Sequence, residues 1–366
     1  MSLKIPSDLE EEILSRVPTK FLSRLRFVCK QWNSLFHDLI FIEKHLSNHA
    51  SPQEFMLWHP RSFYSKLINV EIHHNSDNIA LSSLKFHDLT SRNPPSNDRK
   101  ICRVIHSDGL LLYVTNHGLE VSNPFLKQKR SIRTVNHYAF KRKESAQVHC
   151  NSTYSLGYCN KLSNGYKILR LHPRCQVSDL RAEIFEFTLG RWRVLDVPFF
   201  DWFPASLGLA VSFKGNSYMI AVRKDTLQGF IQSFDFATER FKPFSNLPFN
   251  YVYPGYLGMS VLGGDRLSVL EQCIAKKIGI WITNKIGNGI GISWSKFMTV
   301  DNFGLGFMEL NFFVEENKRK TLVLYTEDIM AMSIYIFEEG GRFIRWDGRH
   351  NWHHSCNYVP SLVPIP

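Results

Sequence analysis

The spacing of apolar residues changes once, near residue 46, and that change limits what the chain can become. Before it, Leu9, Ile13 and Val17 recur every fourth residue with Leu14 beside them, a stripe along one face of a helix. After it, apolar runs are short, tend to alternate every second residue and are separated by Gly, Asn and Pro, the pattern of strands and turns. The order implies an α+β multidomain chain: a small helical unit, then a large antiparallel β domain.

Helix starts and stops can be read within the first segment. Pro6 precedes Ser7, and Ser7-x-x-Glu10 is a capping-box pattern in which hydroxyl and carboxylate each satisfy the other's backbone amide. Asp8, Glu10, Glu11 and Glu12 occupy the first turns, where the helix dipole favours negative charge. Pro18 lacks an amide donor and ends this helix, and Thr19 is placed to cap the next. There Phe21, Leu22, Leu25, Val28, Cys29, Trp32, Leu35 and Phe36 again follow helical spacing, with a break expected near Lys30–Trp32. Three short helices in about 45 residues expose apolar groups on more than one face, and units of this size are marginal alone. Either the unit caps the chain's own sheets or a second polypeptide completes it.

The run "IPSDLEEEILSRVPTKFLSRLRFVCKQWNSLFHDLIFIEKHL" resembles an F-box, with Ile5 where Leu is commoner before the proline. The resemblance implies binding to the Skp-family adaptor of an SCF (Skp–cullin–F-box) ubiquitin ligase and, through it, to cullin. Carried over by position, Pro6, Leu9, Ile13, Leu14, Val17, Pro18, Leu22, Val28 and Trp32 form that interface or its immediate support. Apolar anchors at helical spacing suit a helix-in-groove contact.

From residue 101 to residue 366 strand groups recur. "YKILRL", "AEIFEF" and "RWRVLDV" make one, with Leu189-Gly190 as a tight-turn signal. The aromatic markers Phe187/Trp192, Phe236/Phe241, Trp281/Trp294 and Tyr335/Phe343 recur along the chain. Multi-strand repeats of this kind suggest propeller blades, the alternative being a β-sandwich. "GYCNKLSNGYKILRL", "AEIFEFTLGRWRVLDV", "SFKGNSYMIAV", "IQSFDFATERFKPFSNLPF", "IGIWITNKIGNGIGISWSKFMTVD" and "NYVPSLVPI" resemble the F-box-associated domain, type 1, of plant F-box proteins. Where relatives show Trp-Asn-Pro, this chain has Ser122-Asn123-Pro124, and the lost ring implies looser packing of that blade. The expected domains are residues 1–46, the F-box; 47–100, a linker and first β elements; and 101–366, the substrate-recognition domain.

The bulk numbers fit such a chain. With 366 residues, 44% apolar and 21% charged, it is globular rather than disordered. Residues 1–46 hold seven Lys/Arg and six Asp/Glu, so nearly all of the net charge of +11 belongs to the body. No cluster exceeds Lys141-Arg142-Lys143, so the charge reads as a solvated surface and nucleic acid is not the expected partner. No apolar run approaches the ~18 residues that span a bilayer. The acidic start is no signal peptide, and the expected location is cytoplasm or nucleus with no membrane partner. Seven cysteines, odd in number and never spaced CxxC, read as buried free thiols.

No catalytic signature appears, so the chain is read as non-catalytic and without a cofactor. Gly287-x-Gly289-x-Gly291 lacks nucleotide-binding spacing and reads as a strand-connecting loop. His350, His353, His354 and Cys356 are zinc-ligand types, yet "RHNWHHSC" reads as a solvated loop, and no metal is expected. Three aromatic loops supply Phe199, Phe200, Trp202, Phe203, Tyr251, Tyr253, Tyr256 and Trp352, which either form a patch for an unknown substrate protein or tuck into the core. Rival readings are a propeller that binds a glycan or small molecule, and a basic nucleic-acid-binding module.

Overall fold

The computed structural model describes residues 5–48, 54–59, 62–72, 79–86, 101–133, 152–160, 165–173, 180–197, 200–206, 210–251, 257–273, 277–287, 291–301, 311–316, 320–327, 332–348 and 354–366. Four helices open it: α1 (Ser7–Ser15), α2 (Thr19–Leu25), α3 (Lys30–Leu35) and α4 (Leu39–Asn48). The fourth exceeds the expected three. Asp38 starts it, its Oδ1 accepting from the Ile40 and Phe41 amides at 2.8 and 3.1 Å.

The start signals read from sequence operate differently in place. α1 is capped by Pro6, whose carbonyl accepts from the Leu9 and Glu10 amides, so Ser7 already lies inside the helix. The capping box does not form. Glu10 Oε2 accepts instead from Trp32 Nε1 at 3.3 Å and Gln31 Nε2 at 3.4 Å, tying α1 to α3. Thr19 is not a cap either: its hydroxyl donates to the Pro360 carbonyl, 341 residues away, at 3.2 Å. The break falls before Lys30, in the turn 26–28, because extended Cys29 caps α3 through its sulfur.

The rest of the described chain is a β-propeller of six antiparallel sheets. Blade 1 contains β1 (Glu54–His59), β2 (Ser62–Ile72) and β3 (Ile79–Phe86). Blade 2 is β4 (Ile101–Ser107), β5 (Leu110–Thr115), β6 (Gly118–Asn123) and β7 (Gln128–Ile132). Blade 3 is β8 (Thr153–Tyr158), β9 (Tyr166–Pro173), β10 (Leu180–Glu186) and β11 (Arg191–Val194). Blade 4 is β12 (Trp202–Pro204), β13 (Ala210–Phe213), β14 (Asn216–Arg223), β15 (Gly229–Asp235) and β16 (Arg240–Asn246); β12 and β13 both pair with β14, as an inner strand in two pieces. Blade 5 is β17 (Leu257–Leu262), β18 (Arg266–Cys273), β19 (Lys277–Thr283) and β20 (Trp294–Asp301). Blade 6 is β21 (Asn311–Glu316), β22 (Lys320–Glu327), β23 (Met332–Glu338) and β24 (Phe343–Gly348).

A last strand, β25 (His354–Tyr358), pairs antiparallel with β1, from Glu54 opposite Tyr358 to Trp58 opposite His354. It completes blade 1 with residues from the far end of the sequence. The inner strands β25, β4, β8, β13, β17 and β21 neighbour one another in a closed circuit, which a two-sheet sandwich does not produce. This corrects the loop reading for 354–358. "HSCNY" lacks apolar alternation, and its strand conformation comes from its partner β1. His354 and Cys356 lie on that strand, His350 and His353 lie outside the described residues, and no metal-ligand cluster occurs among the described residues.

The recurring aromatics flank the outer hairpins, but the cross-strand partners are not the pairs read from sequence: Trp281 stands opposite Lys296 and Tyr335 opposite Arg345. Register sets Phe185 opposite Trp192, Phe234 opposite Phe241 and Phe337 opposite Phe343, with ring centroids 5.4, 4.7 and 5.1 Å apart. Gly287 and Gly291 sit in the β19–β20 connection, which Asn284 braces by donating to the Gly291 carbonyl and accepting from the Ser293 amide. The cysteines depart from the expected buried thiols: Cys29 and Cys159 are free but exposed, and Cys102 is disulfide-bonded.

Strand direction alternates, so blade 2 has two ends. The turns at 108–109 and 124–127 lie at one; the turn at 116–117 and the departure toward blade 3 lie at the other.

Candidate functional site: the docking face of the helices and the junction beneath it

The helices sit on the first of those two ends. Leu14, Leu22, Phe36, Phe41 and Ile42 share one buried cluster with Leu110, Leu112 and Val121 of blade 2. Leu362 and Val363, from the segment that follows β25, belong to the same cluster. Polar contacts brace the helices against each other. Lys44 lies 3.0 Å from both Glu11 and Glu12, His45 Nε2 donates to the Val17 carbonyl at 2.9 Å, and Asn48 donates to the Ser15 hydroxyl at 3.1 Å.

The other side of the unit is apolar and wet. Leu9 and Ile13 are each 55% exposed, Val28 63% and Phe27 83%, joined by Ile5, Phe21, Leu39 and Ile40. Eight of the twelve large apolar side chains exposed among the described residues thus lie between residues 5 and 40. A concentration of this kind marks an interaction surface.

The residues named from sequence divide across the two sides. Pro6, Leu9, Ile13, Pro18 and Val28 are exposed, and Val17 and Trp32 are half-buried. Leu14 at 3% and Leu22 at 0% exposure face the chain's own core and can only support a docking face from behind. Ile5, Phe21, Phe27, Leu39 and Ile40 are exposed as well but were not assigned to the interface from sequence. Phe27 lies in a turn, off any helical stripe, so periodicity gives no signal for it. Leu39 and Ile40 belong to the helix that sequence spacing did not separate.

Residues 2–44 match the F-box domain and residues 54–365 match the F-box associated beta propeller domain. The chain is 34% identical to the Arabidopsis thaliana F-box protein At3g17480 over 378 residues, covering 99% of this chain and 97% of that protein. It is 35% identical to At3g17490 of the same plant, covering 99% and 94%. The chain belongs to the F-box proteins with an F-box-associated propeller. Among solved structures, TolB from Acinetobacter baumannii is similar at a TM-score of 0.43 and 11% identity, covering 83% of this chain and 64% of that one.

In the propeller of this F-box protein, the four described residues of the aromatic patch read from sequence are buried rather than exposed. Phe200, Trp202, Phe203 and Tyr251 are buried in the cluster that joins blades 3 to 5. Trp202 and Phe203 lie on β12, part of an inner strand, and Phe200 packs edge-on against Trp202 at 5.1 Å and Phe241 at 5.3 Å. These four are core, which corrects their assignment to a binding surface. Phe199, Tyr253, Tyr256 and Trp352 lie outside the described residues.

Positive charge is carried by the outermost strands: Lys129 on β7, Arg191 on β11, Lys242 on β16, Lys296 on β20 and Arg345 on β24. Cations on edge strands discourage strand addition by another sheet.

Asn123, from the position where relatives show Trp-Asn-Pro, is fully buried. Its Oδ1 accepts from the Phe125 and Leu126 amides at 3.0 and 3.1 Å, closing the β6–β7 turn. Ser122, in place of the ring, is half-buried and donates to the Gln128 carbonyl, while Val121 beside it is fully buried.

Proposed function

We propose that this F-box protein is the substrate-recognition subunit of an SCF-type ubiquitin ligase, acting in cytoplasm or nucleus. The exposed face of α1, α2 and the turn at 26–28 docks on a Skp-family adaptor and through it on cullin. One observation carries this reading: eight large apolar side chains of the helical unit are exposed although Leu14, Leu22, Phe36, Phe41 and Ile42 are already sealed. Large desolvated side chains dominate such contacts, which places Leu9, Ile13, Phe27 and Val28 at the centre.

The propeller holds the target protein at the end away from the helices. Each blade's outer strand finishes at that end, so the connections from one blade to the next start there. Connections on a rigid sheet scaffold commonly carry recognition. The chain contributes proximity, raising the effective concentration of target lysines near a charged enzyme, and none of its residues performs bond chemistry.

The test is co-purification of the full chain with a Skp-family adaptor. The double variant Leu9→Asp with Ile13→Asp should lose the adaptor while keeping its melting temperature. Undiminished capture by that variant would overturn the proposed interface.

A further inference from the structure

Residues 359–366 run between the F-box helices and blade 2 and touch both. On one side Pro360 accepts from Thr19 of α2. On the other, the Ser361 hydroxyl donates to the Asp108 carbonyl, the Ile365 amide donates to Gln128 Oε1 at 3.0 Å, and Arg130 donates to the Pro366 carbonyl. Asn123 Nδ2 donates to the carbonyls of Ser361 at 3.1 Å and Val363 at 2.7 Å. Leu362 and Val363 are buried at 4% exposure in the cluster that holds Leu14, Leu22 and Phe41. The fit against the β4–β5 turn leaves no spare room: a Cβ on Gly109, which has φ +82°, would overlap Ser361.

We propose that residues 359–366 are a positioning clamp, with Asn123 as its central residue, that locks the F-box to the propeller as one rigid body. Leu362 and Val363 of this segment share one buried cluster with Leu14 and Leu22 of the F-box and with Leu110 and Leu112 of blade 2. Prolines at 360, 364 and 366 restrict the backbone before folding, so ordering the segment costs less conformational entropy than an unrestricted run would. Asn123 does two jobs with two ends of one amide. Its oxygen closes the β6–β7 turn, and its nitrogen holds the clamp. A rigid junction fixes the distance and direction from the adaptor-docking face to the far end of the propeller. That consequence for ubiquitin transfer rests on the function proposed above; the clamp itself does not.

The two ends of Asn123 can be separated. Asn123→Asp keeps the acceptor that closes the turn, removes both donors to the clamp and faces a carboxylate with two carbonyls. A second variant ends the chain after Val359, leaving β25 and the closed ring intact. Hydrogen exchange is measured on the full chain and both variants, alone and with the Skp-family adaptor. Exchange across α2 and α4 should rise at least 10-fold in both variants, with β14, β15, β18 and β19 unchanged and adaptor capture retained. Small-angle scattering should show a broadened distance distribution. Unchanged exchange in α2 and α4 for the shortened chain would overturn the clamp. So would equal acceleration in the helices and in blades 4 and 5, which would make the segment a general stabiliser. If the unaltered chain fails to capture the adaptor, the proposed function fails while the exchange result still decides the clamp.

Discussion

The two sides of the F-box are made of the same residue types and have opposite fates. Leu14 and Leu22 are sealed against blade 2 and the clamp, whereas Leu9 and Ile13, on the same α1 as Leu14, stand in water. A unit of about 45 residues is too small to bury both sides by itself. The propeller completes one side within the chain, and under the proposed function a second polypeptide covers the other. On that reading the inner side sets stability and the outer side sets association.

That contrast can be broken by substitution. The largest effect is expected from Leu22→Ala, a fully buried side chain, at about 2–5 kcal/mol of unfolding free energy by denaturant titration. A loss within ~0.5 kcal/mol, usual for exposed sites, would show that the inner side is not sealed.

Next comes acid. His106 lies beneath the clamp, its Nε2 accepting from the Gly109 amide at 2.9 Å and the Val359 amide at 3.4 Å. Burial pushes its imidazole down to about 4, against the pull of the Asp108 carboxylate. A histidine with a depressed folded pKa adds stability that is complete above its unfolded value near 6.5 and is lost as pH falls toward 4. The contribution at stake is at most about 3 kcal/mol, less a share for its partial exposure. His106→Gln should flatten the pH dependence of stability between those values.

On the outer side, Ile13→Ala should leave stability within about 0.5 kcal/mol of the parent while weakening adaptor binding about 10-fold, read by calorimetry. The opposite pattern, a stability loss with unchanged affinity, would exchange the roles of the two sides. The smallest effect is reserved for the propeller surface. Arg266 donates to Glu316 at 2.8 Å between blades 5 and 6, but Glu316 is open to solvent, so Glu316→Gln should cost under about 1 kcal/mol.

Much of this molecule was legible in its sequence for a physical reason. Period-two alternation and aromatics flanking the outer turns, such as Phe236 and Phe241, are demanded by blade hairpins wherever they occur, although register sets Phe241 opposite Phe234 rather than Phe236. The stripe Leu9, Ile13, Leu14 announced a helix, but spacing alone could not tell the inward Leu14 from its outward neighbours, because that depends on where blade 2 lies. Ser7 and Thr19 carried cap chemistry and were used otherwise, Thr19 by a carbonyl 341 residues distant. β25 was unreadable for a related reason: its strand form comes from pairing with β1, not from its own side chains. The aromatic loops misled because Trp202 and Phe203 look alike on a surface patch or an inner strand.

Because β1 pairs with β25, the ring of blades has its seam between the earliest and latest strands of the propeller to be synthesised. The F-box emerges before the propeller, yet the part of its footing that residues 359–366 supply is made only after the last blade. A chain cut short anywhere in blades 2 to 6 lacks that part, so if the clamp acts as proposed, a firmly seated F-box reports that the whole propeller has been made.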